Sequence, residues 1–250
     1  MRHGAIAHTP ASSWSPYCGP APGPSDWLGR WNADPLLLAV LGLVAGWWWL
    51  RRARIDDRGL APFALATTLF LFVSPFCALG SALFAARAVH HVILAAVLAP
   101  ALALLLVRNG RAPRVAVPLA TIVHALTFWA WHLPSLYAIA LSHDALFWLM
   151  QLTITGTGVI LWAALLRAPA PAAVAGLMAT MVQMGALGAL LTFAQRALYA
   201  PHAATTAAWG LTPLEDQQLA GLVMWAPGSL VYLLAAVTIL YRSLQPRAAA

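Results

Sequence analysis

Residues able to bind a transition metal recur in the apolar parts of this chain. His90 and His91 are adjacent in one apolar stretch, His132 lies in the next stretch and His143 follows it, while Met224 lies in the last one. Imidazole nitrogen and thioether sulfur are ligands typical of copper sites. The sequence therefore predicts a copper site, with His91 and His132 as principal ligands and His90, His143 and Met224 as helpers.

Three further polar residues are predicted to surround those ligands. Asp216 could orient a ligand histidine as a hydrogen-bond acceptor, and Gln217 lies beside it. Arg87 precedes the histidine pair by three and four residues, so all three side chains share one broad helix face. A buried guanidinium needs an acceptor, and Asp144 or Asp216 could supply one; Arg87 could equally hold an anionic group.

Simpler interpretations apply to some of these residues. A single buried histidine is more often a hydrogen-bonded packing residue than a ligand. His124 is interpreted as a packing residue of this kind. Asp216 could instead cap the helix in which it lies and interact with its dipole. His3 and His8 are interpreted as tail residues without a role. The sequence leaves open whether Cys18 and Cys77 pair.

Composition indicates that the chain is a membrane protein. Of 250 residues, 62% are hydrophobic and only 8% are charged, whereas soluble domains carry about 25% charged residues. All fourteen cationic side chains are arginine, which excludes a retinal Schiff base or a lysine nucleophile. The arginines flank apolar stretches, so the basic pI reflects membrane topology and not nucleic-acid binding.

The predicted fold is an all-α polytopic membrane protein with seven transmembrane helices. Residues 1–32 are rich in proline, glycine and serine and are predicted to be a disordered external tail. Residues 33–242 would form the transmembrane domain, and 243–250 a cytoplasmic tail. Each apolar stretch has the length that a bilayer requires, and the seven are approximately 34–50, 60–80, 82–107, 115–141, 145–166, 173–194 and 216–241.

The arginines predict the orientation of the bundle. Ten lie in the loops after the first, third, fifth and seventh stretches, three lie on the opposite side, and Arg87 lies inside the third stretch. Arginine-rich loops stay in the cytoplasm, so the N-terminus is expected outside and the C-terminus inside. This orientation would place the predicted copper ligands toward the extracytoplasmic side.

Two segments resemble the CtaG-type family of cytochrome c oxidase assembly proteins. One is Asp216–Gly228, DQQLAGLVMWAPG, with Trp209-Gly210-Leu211 ahead of it, and the other is the run WHLPSLY from Trp131 to Tyr137. The phrase from Gly188 to Phe193, GALLTF, with Tyr199-Ala200-Pro201 after it, also fits. The resemblance extends over roughly 60–240. It implies a non-enzymatic, multi-pass protein of the bacterial plasma membrane that helps to assemble haem–copper oxidases.

The same resemblance implies the cargo and the partners. Its proposed task is copper delivery to the oxidase catalytic subunit, with periplasmic copper donors as further partners. Two positions depart from the family pattern: a histidine pair four residues apart would fall on Arg87 and His91, and another histidine on Phe147.

Other functions stay open or are disfavoured. A metal-free scaffold for the oxidase is the first alternative, and the second is a haem-binding protein with His91 and His132 as axial ligands and Arg87 at a propionate. Transport is disfavoured because the deep interiors of the apolar stretches hold no carboxylates. Neither H-E-x-x-H nor G-x-S-x-G occurs, so hydrolysis has no motif.

Overall fold

The computed structural model describes residues 16–56 and 59–245, and within these ranges every regular element is helical. His3, His8 and residues 246–250 of the predicted C-terminal tail lie outside them. The α-helices are α1 (Pro35–Arg51), α2 (Leu60–Phe72), α3 (Phe76–Ala82), α4 (Phe84–Ile93), α5 (Ala99–Arg108), α6 (Val117–Trp131), α7 (Pro134–Ala140), α8 (Asp144–Leu165), α9 (Ala170–Thr192), α10 (Pro213–Val223) and α11 (Ser229–Leu244).

Five continuous helices are long and apolar enough to cross a membrane, and α2 with α3 makes a sixth candidate that is bent by 41°. The all-helical, multi-pass prediction is confirmed at this level. The predicted span 115–141 is divided into α6, which has 15 residues, and the short α7. Six candidate crossings are therefore supported, while the seventh crossing and the positions of the termini stay predictions.

Prolines divide or distort the helices where they occur. Pro75 lies at the bend between α2 and α3, and Pro134 begins α7 after α6 has ended. Near Pro100 and Pro227 the helix continues through a π-helical turn, Leu94–Leu98 in one case and Met224–Gly228 in the other. A proline donates no backbone hydrogen bond, so a locally widened turn lets the helix pass it.

One of these π turns also receives a side chain from a neighbouring helix. The Ala95 carbonyl accepts a hydrogen bond of 2.9 Å from the indole nitrogen of Trp162 on α8. Pro100, five residues further on, has no N–H to offer that carbonyl in π geometry. A buried tryptophan thus satisfies an acceptor that the proline leaves free.

The helices form one bundle around a continuous core. Helix α9 packs against α10, α11 and α6, and α8 packs against α5 and α6. Helix α1 is peripheral, with Leu37 as its one buried residue. Where α9 meets α10, Gly188 and Gly221 let the two backbones touch, because a Cβ on Gly221 would lie 2.5 Å from the Gly188 carbonyl oxygen.

The two ends of the bundle differ in arginine content. We call the end formed by residues 16–34, 73–83, 132–143 and 193–212 the arginine-poor end. The other end is formed by 52–56, 59, 109–116 and 166–169.

Residues 16–34 are ordered at the arginine-poor end, although composition predicts a disordered tail through residue 32. Cys18 forms a disulfide bond with Cys77 in α3. The Tyr17 hydroxyl donates a 2.6 Å hydrogen bond to Asp34, whose carboxylate also caps α1. These ties connect residues distant in sequence, so composition cannot reveal them.

We expect Gly221→Ala to destabilise the bundle, because its Cβ would overlap Thr192 and the Gly188 carbonyl. Overpacking of this kind costs about 1–3 kcal/mol. Gly156→Ala is the matched control, since a Cβ there meets nothing within 4 Å. Thermal unfolding in detergent, followed by circular dichroism, should show a lower midpoint for Gly221→Ala alone. Equal midpoints would contradict the close contact between α9 and α10.

Candidate metal site

Asp216 joins the start of α10 to the start of α4 at the arginine-poor end. Its carboxylate is fully buried and accepts hydrogen bonds from the backbone amides of Phe84 and Ala85, at 2.7 and 3.0 Å. These are the first amides of α4, where a negative charge is favourable. Both oxygens are thus bonded to the helix that carries Arg87, His90 and His91, and no bond from Asp216 to a histidine is found.

His91 and His132 meet between α4 and the end of α6. His91 Nδ1 lies 3.4 Å from His132 Nε2, and both rings are buried. His132 Nδ1 lies 2.7 Å from the Phe128 carbonyl oxygen, which can only accept. His132 therefore carries a proton on Nδ1 and turns the lone pair of Nε2 toward His91. The other nitrogen of His91, Nε2, is buried without a hydrogen-bond partner.

His90 faces a different side of α4. Its ring packs edge-on against Phe72 at a centroid distance of 4.9 Å and is stacked on Phe76 at 6.2 Å. It is fully buried, and neither of its nitrogens has a hydrogen-bond partner among the described residues. The ring centroids of His90 and His91 are 6.1 Å apart, so an apolar pocket holds an unsatisfied imidazole next to the histidine pair.

Arg87 is fully buried one turn before the histidines. Its guanidinium carbon lies 5.1 Å from the centre of the Phe147 ring, and Nη2 lies 4.0 Å from the sulfur of Cys18. Gly80 leaves space for it, since a Cβ there would lie 2.8 Å from that carbon. Nε and Nη1 have no hydrogen-bond partner.

The acceptor suggested for Arg87 is not found. No carboxylate among the described residues forms an ion pair with Arg87, and neither Asp144 nor Asp216 bonds to it. The guanidinium instead faces the Phe147 ring, and the Tyr137 hydroxyl also stabilises its charge. The two positions where the family resemblance places histidines, 87 and 147, are therefore in contact, and here they form a cation–π pair.

The remaining predicted site residues lie elsewhere. His143 is exposed, with Nδ1 3.3 Å from the Ile139 carbonyl oxygen. Met224 is buried in the second π turn. Gln217 accepts a 2.7 Å hydrogen bond from the Leu198 amide and donates to the Arg196 carbonyl oxygen at 3.3 Å, so it fastens the loop before α10.

Of the predicted ligands, the structure thus brings His91 and His132 into direct nitrogen contact. Across residues 16–56 and 59–245, no three His, Cys, Asp or Glu side chains come together as a metal-binding group. The ligand assignments themselves stay predictions.

A layer of aromatic residues over His132 was missed by sequence reasoning. The Tyr199 hydroxyl donates a 2.7 Å hydrogen bond to the His132 carbonyl oxygen, and its ring stacks on Phe84 at 3.7 Å. Tyr137 and His202 are joined by a 2.7 Å hydrogen bond between the hydroxyl and Nε2. Tyr137 and Tyr199 occur in segments that carry the family resemblance, which is the one signal that could have indicated them.

His202 should make stability depend on pH. Burial lowers the pKa of this loop histidine from 6.5 to about 4, and the positive charge of Arg87 acts in the same direction. Between pH 6.5 and 4 the unfolded chain binds a proton that the folded protein does not bind. Stability should therefore be full above pH 6.5 and fall as the pH decreases to 4, by roughly 3 kcal/mol in total.

The pH dependence assigned to His202 is tested by comparing His202→Gln with His143→Gln. His143 is an exposed histidine at the same end of the bundle. Thermal midpoints measured from pH 7 to pH 4 should fall less steeply for His202→Gln than for the wild type. His143→Gln should follow the wild type. A wild-type slope in His202→Gln would contradict the role assigned to this imidazole.

Asp216→Asn should loosen the start of α4. The asparagine oxygen can accept one of the two amides, but its NH₂ group then faces the other, and a buried donor left unpaired costs about 1–3 kcal/mol. Asp144→Asn is the control, because Asp144 is an exposed acidic residue in the first turn of α8. Amide hydrogen exchange should accelerate at Phe84 and Ala85 in Asp216→Asn only. Unchanged exchange there would show that the carboxylate does not hold the helix.

Comparison with known families gives this arrangement a context. The family of cytochrome c oxidase caa3 assembly factors (Caa3_CtaG) matches residues 106–245, which include His132, His143 and Met224 but not α4. No curated protein and no solved structure matches the chain. The match covers more than half of the sequence, and the protein therefore belongs to the cytochrome c oxidase caa3 assembly factor family.

Proposed function

We propose that this assembly factor binds copper(I) at the extracytoplasmic face of the bacterial plasma membrane and delivers it to the oxidase catalytic subunit. Membership of the assembly-factor family is the basis for naming cytochrome c oxidase as the recipient. The observation that carries the copper proposal is the buried pair His91 and His132, whose facing nitrogens lie 3.4 Å apart. In this proposal copper is cargo, supplied by periplasmic donors.

The tautomer of His132 supports a ligand role. Because its Nδ1–H is committed to the Phe128 carbonyl, its Nε2 lone pair is available at the contact. His91 can present Nδ1 to the same point if its proton resides on Nε2. Two imidazole lone pairs facing each other suit a soft monovalent ion of low coordination number, which a carrier must also be able to release.

The location of the site supports delivery outside the cytoplasm. Several arginines follow α1 and α5, and Arg167 follows α8, so the positive-inside rule assigns that end to the cytoplasm. Disulfide bonds persist in oxidising compartments, and the Cys18–Cys77 bond lies at the other end. In this topology α6 with α7 provides the seventh crossing, and the site faces the periplasm.

A metal-free scaffold is the second candidate, and one specific observation favours it. The buried cation of Arg87 interacts electrostatically with His90 and His91, and a further positive ion at the pair would be repelled. The scaffold would act through its helices and through the loop that Gln217 fastens to α10.

A bis-histidine haem site has less support. His91 and His132 are in direct contact, at a ring-centroid distance of 5.2 Å and an interplanar angle of 87°. A porphyrin inserted between them would have to separate α4 from the packed end of α6.

Copper(I) affinity distinguishes a copper carrier from a metal-free scaffold. We expect His91→Ala and His132→Ala to lower copper(I) affinity at least as much as loss of an outer-shell partner would, roughly ten- to hundredfold. His124→Ala is the matched control. His124 is buried in α6, the helix that ends just before His132, but it bonds to Thr157 at 2.9 Å. Affinity is measured anaerobically on purified protein by competition with a chromogenic copper(I) chelator.

Activity of the oxidase in cells gives the second readout. Strains with His91→Ala or His132→Ala should have less active oxidase, and added copper should restore it, whereas the His124→Ala strain should resemble the wild type. Equal copper affinity in all four proteins, with oxidase activity lost and not restored by copper, would refute the carrier and favour the scaffold.

A further inference from the structure

A second group of soft donors lies at the arginine-poor end, beside Arg87. The sulfur of Cys18 lies 4.0 Å from Nη2 of Arg87 and is bonded to Cys77. We propose that reduction of this disulfide creates a two-thiolate copper(I) site, with Arg87 as its counter-ion. The inference rests on the proposed copper function and adds a second donor set beside the histidine pair.

The first support is the uncompensated charge of Arg87. Its side chain is fully buried, two of its three nitrogens have no hydrogen-bond partner, and no carboxylate among the described residues pairs with it. A buried ion without a counter-charge is costly. The guanidinium faces the Phe147 ring, the Tyr137 hydroxyl stabilises its charge, and the Cys18 sulfur lies 4.0 Å from Nη2. Of these groups the sulfur is the one that becomes an anion, when the disulfide is reduced and the thiol ionises.

Charge counting favours copper(I) at these sulfurs. Two thiolates and one copper(I) ion carry a net charge of −1, and Arg87 brings the group to neutrality. Copper(I) between two neutral imidazoles carries +1, and Arg87 raises the total to +2. In a medium of low dielectric constant the neutral group is strongly preferred, and thiolate is also the softer ligand for copper(I).

The position of Cys18 and Cys77 suits two ligands of one ion. Their Cα atoms are 5.4 Å apart, so the sulfurs already meet. Tyr17, next to Cys18, stacks on Phe147 at a centroid distance of 5.0 Å and bonds to Asp34. The segment that carries Cys18 would therefore stay in place once the disulfide is opened.

Reduction requires a partner, which we identify by chemistry as a dithiol. One thiolate of the dithiol attacks the Cys18 sulfur, the Cys18–Cys77 bond breaks, and Cys77 leaves with the electron pair and takes up a proton. The second thiolate of the dithiol then attacks the reductant sulfur that is bonded to Cys18. This forms the disulfide of the reductant and releases Cys18 as a thiolate beside Arg87. Two electrons are transferred, and copper(I) binding later displaces the proton from Cys77.

Cys18 is the more exposed of the two cysteines. Cys18 is 8% exposed, whereas Cys77 is fully buried, so the incoming thiolate must attack Cys18. A cavity of about 340 Å³ is lined by Pro16 and Pro20, which flank Cys18 in the sequence, and by Ser81 of α3. The buried Ser81 hydroxyl has no hydrogen-bond partner in the part of the chain that the structure describes.

The test uses full-length protein in detergent, either with the disulfide intact or reduced by a dithiol and freed from reductant anaerobically. Copper(I) is added, its affinity is measured by chelator competition, and its ligands are identified by X-ray absorption at the copper edge. Reduced wild type should show sulfur neighbours around copper, and the disulfide form should show none. Cys18→Ser and Cys77→Ser should each lose the sulfur signal and bind about tenfold more weakly or worse.

Variants of Arg87 test the counter-ion. Arg87→Met should weaken copper(I) binding by the reduced protein, and Arg87→Lys should restore most of the affinity because it keeps the charge. Arg30→Met is the control, as this arginine is exposed at the same end. Equal affinity of wild type and Arg87→Met would overturn the role of Arg87.

The outcomes separate this inference from the proposed function. Sulfur neighbours that persist in a His91→Ala/His132→Ala variant support the two-thiolate site. Nitrogen neighbours alone, lost in that variant and kept in Cys18→Ser, overturn it and leave the histidine carrier standing. No copper binding in either redox form overturns both. If the cysteine variants do not fold, the reduced and disulfide forms of the wild type still decide.

Discussion

The hydrogen bonds from Phe84 and Ala85 to Asp216 fix the position of α4, on which the candidate site depends. They connect residues 131 and 132 positions apart in the sequence, and they bring the beginning of the last long helix to the beginning of the third. A backbone amide at a helix start must find an acceptor, and in a bilayer no water supplies one. A buried carboxylate is the strongest acceptor available, and its charge also interacts favourably with the helix dipole. The depth and rotation of Arg87, His90 and His91 follow from that anchor.

The same requirement explains why so much of the local irregularity lies near the site. Pro100 and Pro227 remove backbone donors from long helices, and each helix responds with a π turn close to the histidines or to Met224. The Trp162 indole satisfies the carbonyl left free at Ala95. Each departure from regular helix is paired with a specific side chain, so these turns are fixed parts of the packing.

The sequence was most informative where one physical effect dominates. Long apolar stretches and flanking arginines predicted an all-helical membrane bundle because the bilayer restricts what can cross it. The meeting of His91 with His132 was also anticipated. The role of Asp216 was only half anticipated: it does cap a helix, but the helix is α4 and not its own. Pairing across 130 residues depends on how helices pack, and no local pattern encodes that.

Tertiary packing likewise hid the surroundings of Arg87. Composition indicated a disordered segment around Tyr17 and Cys18, yet a disulfide and a phenol–carboxylate hydrogen bond hold that segment against the bundle. The stack of Tyr17, Phe147 and Arg87 joins three segments that are far apart in sequence. Sequence reasoning could identify each unusual residue, but it could not show that Arg87 and Phe147 face each other.

The buried charge of Arg87 bears on the copper cargo that we propose. A membrane interior penalises net charge far more than it penalises polarity, and the described part of this bundle keeps one buried guanidinium without a carboxylate. The aromatic face of Phe147 offsets part of that cost, but a ring quadrupole is weaker than a full negative charge. A site built in this way accommodates an anionic group more readily than a bare cation. If copper(I) is the cargo, as proposed, a copper site beside Arg87 requires negatively charged ligands, and the sulfurs of Cys18 and Cys77 would supply that charge once their disulfide is reduced.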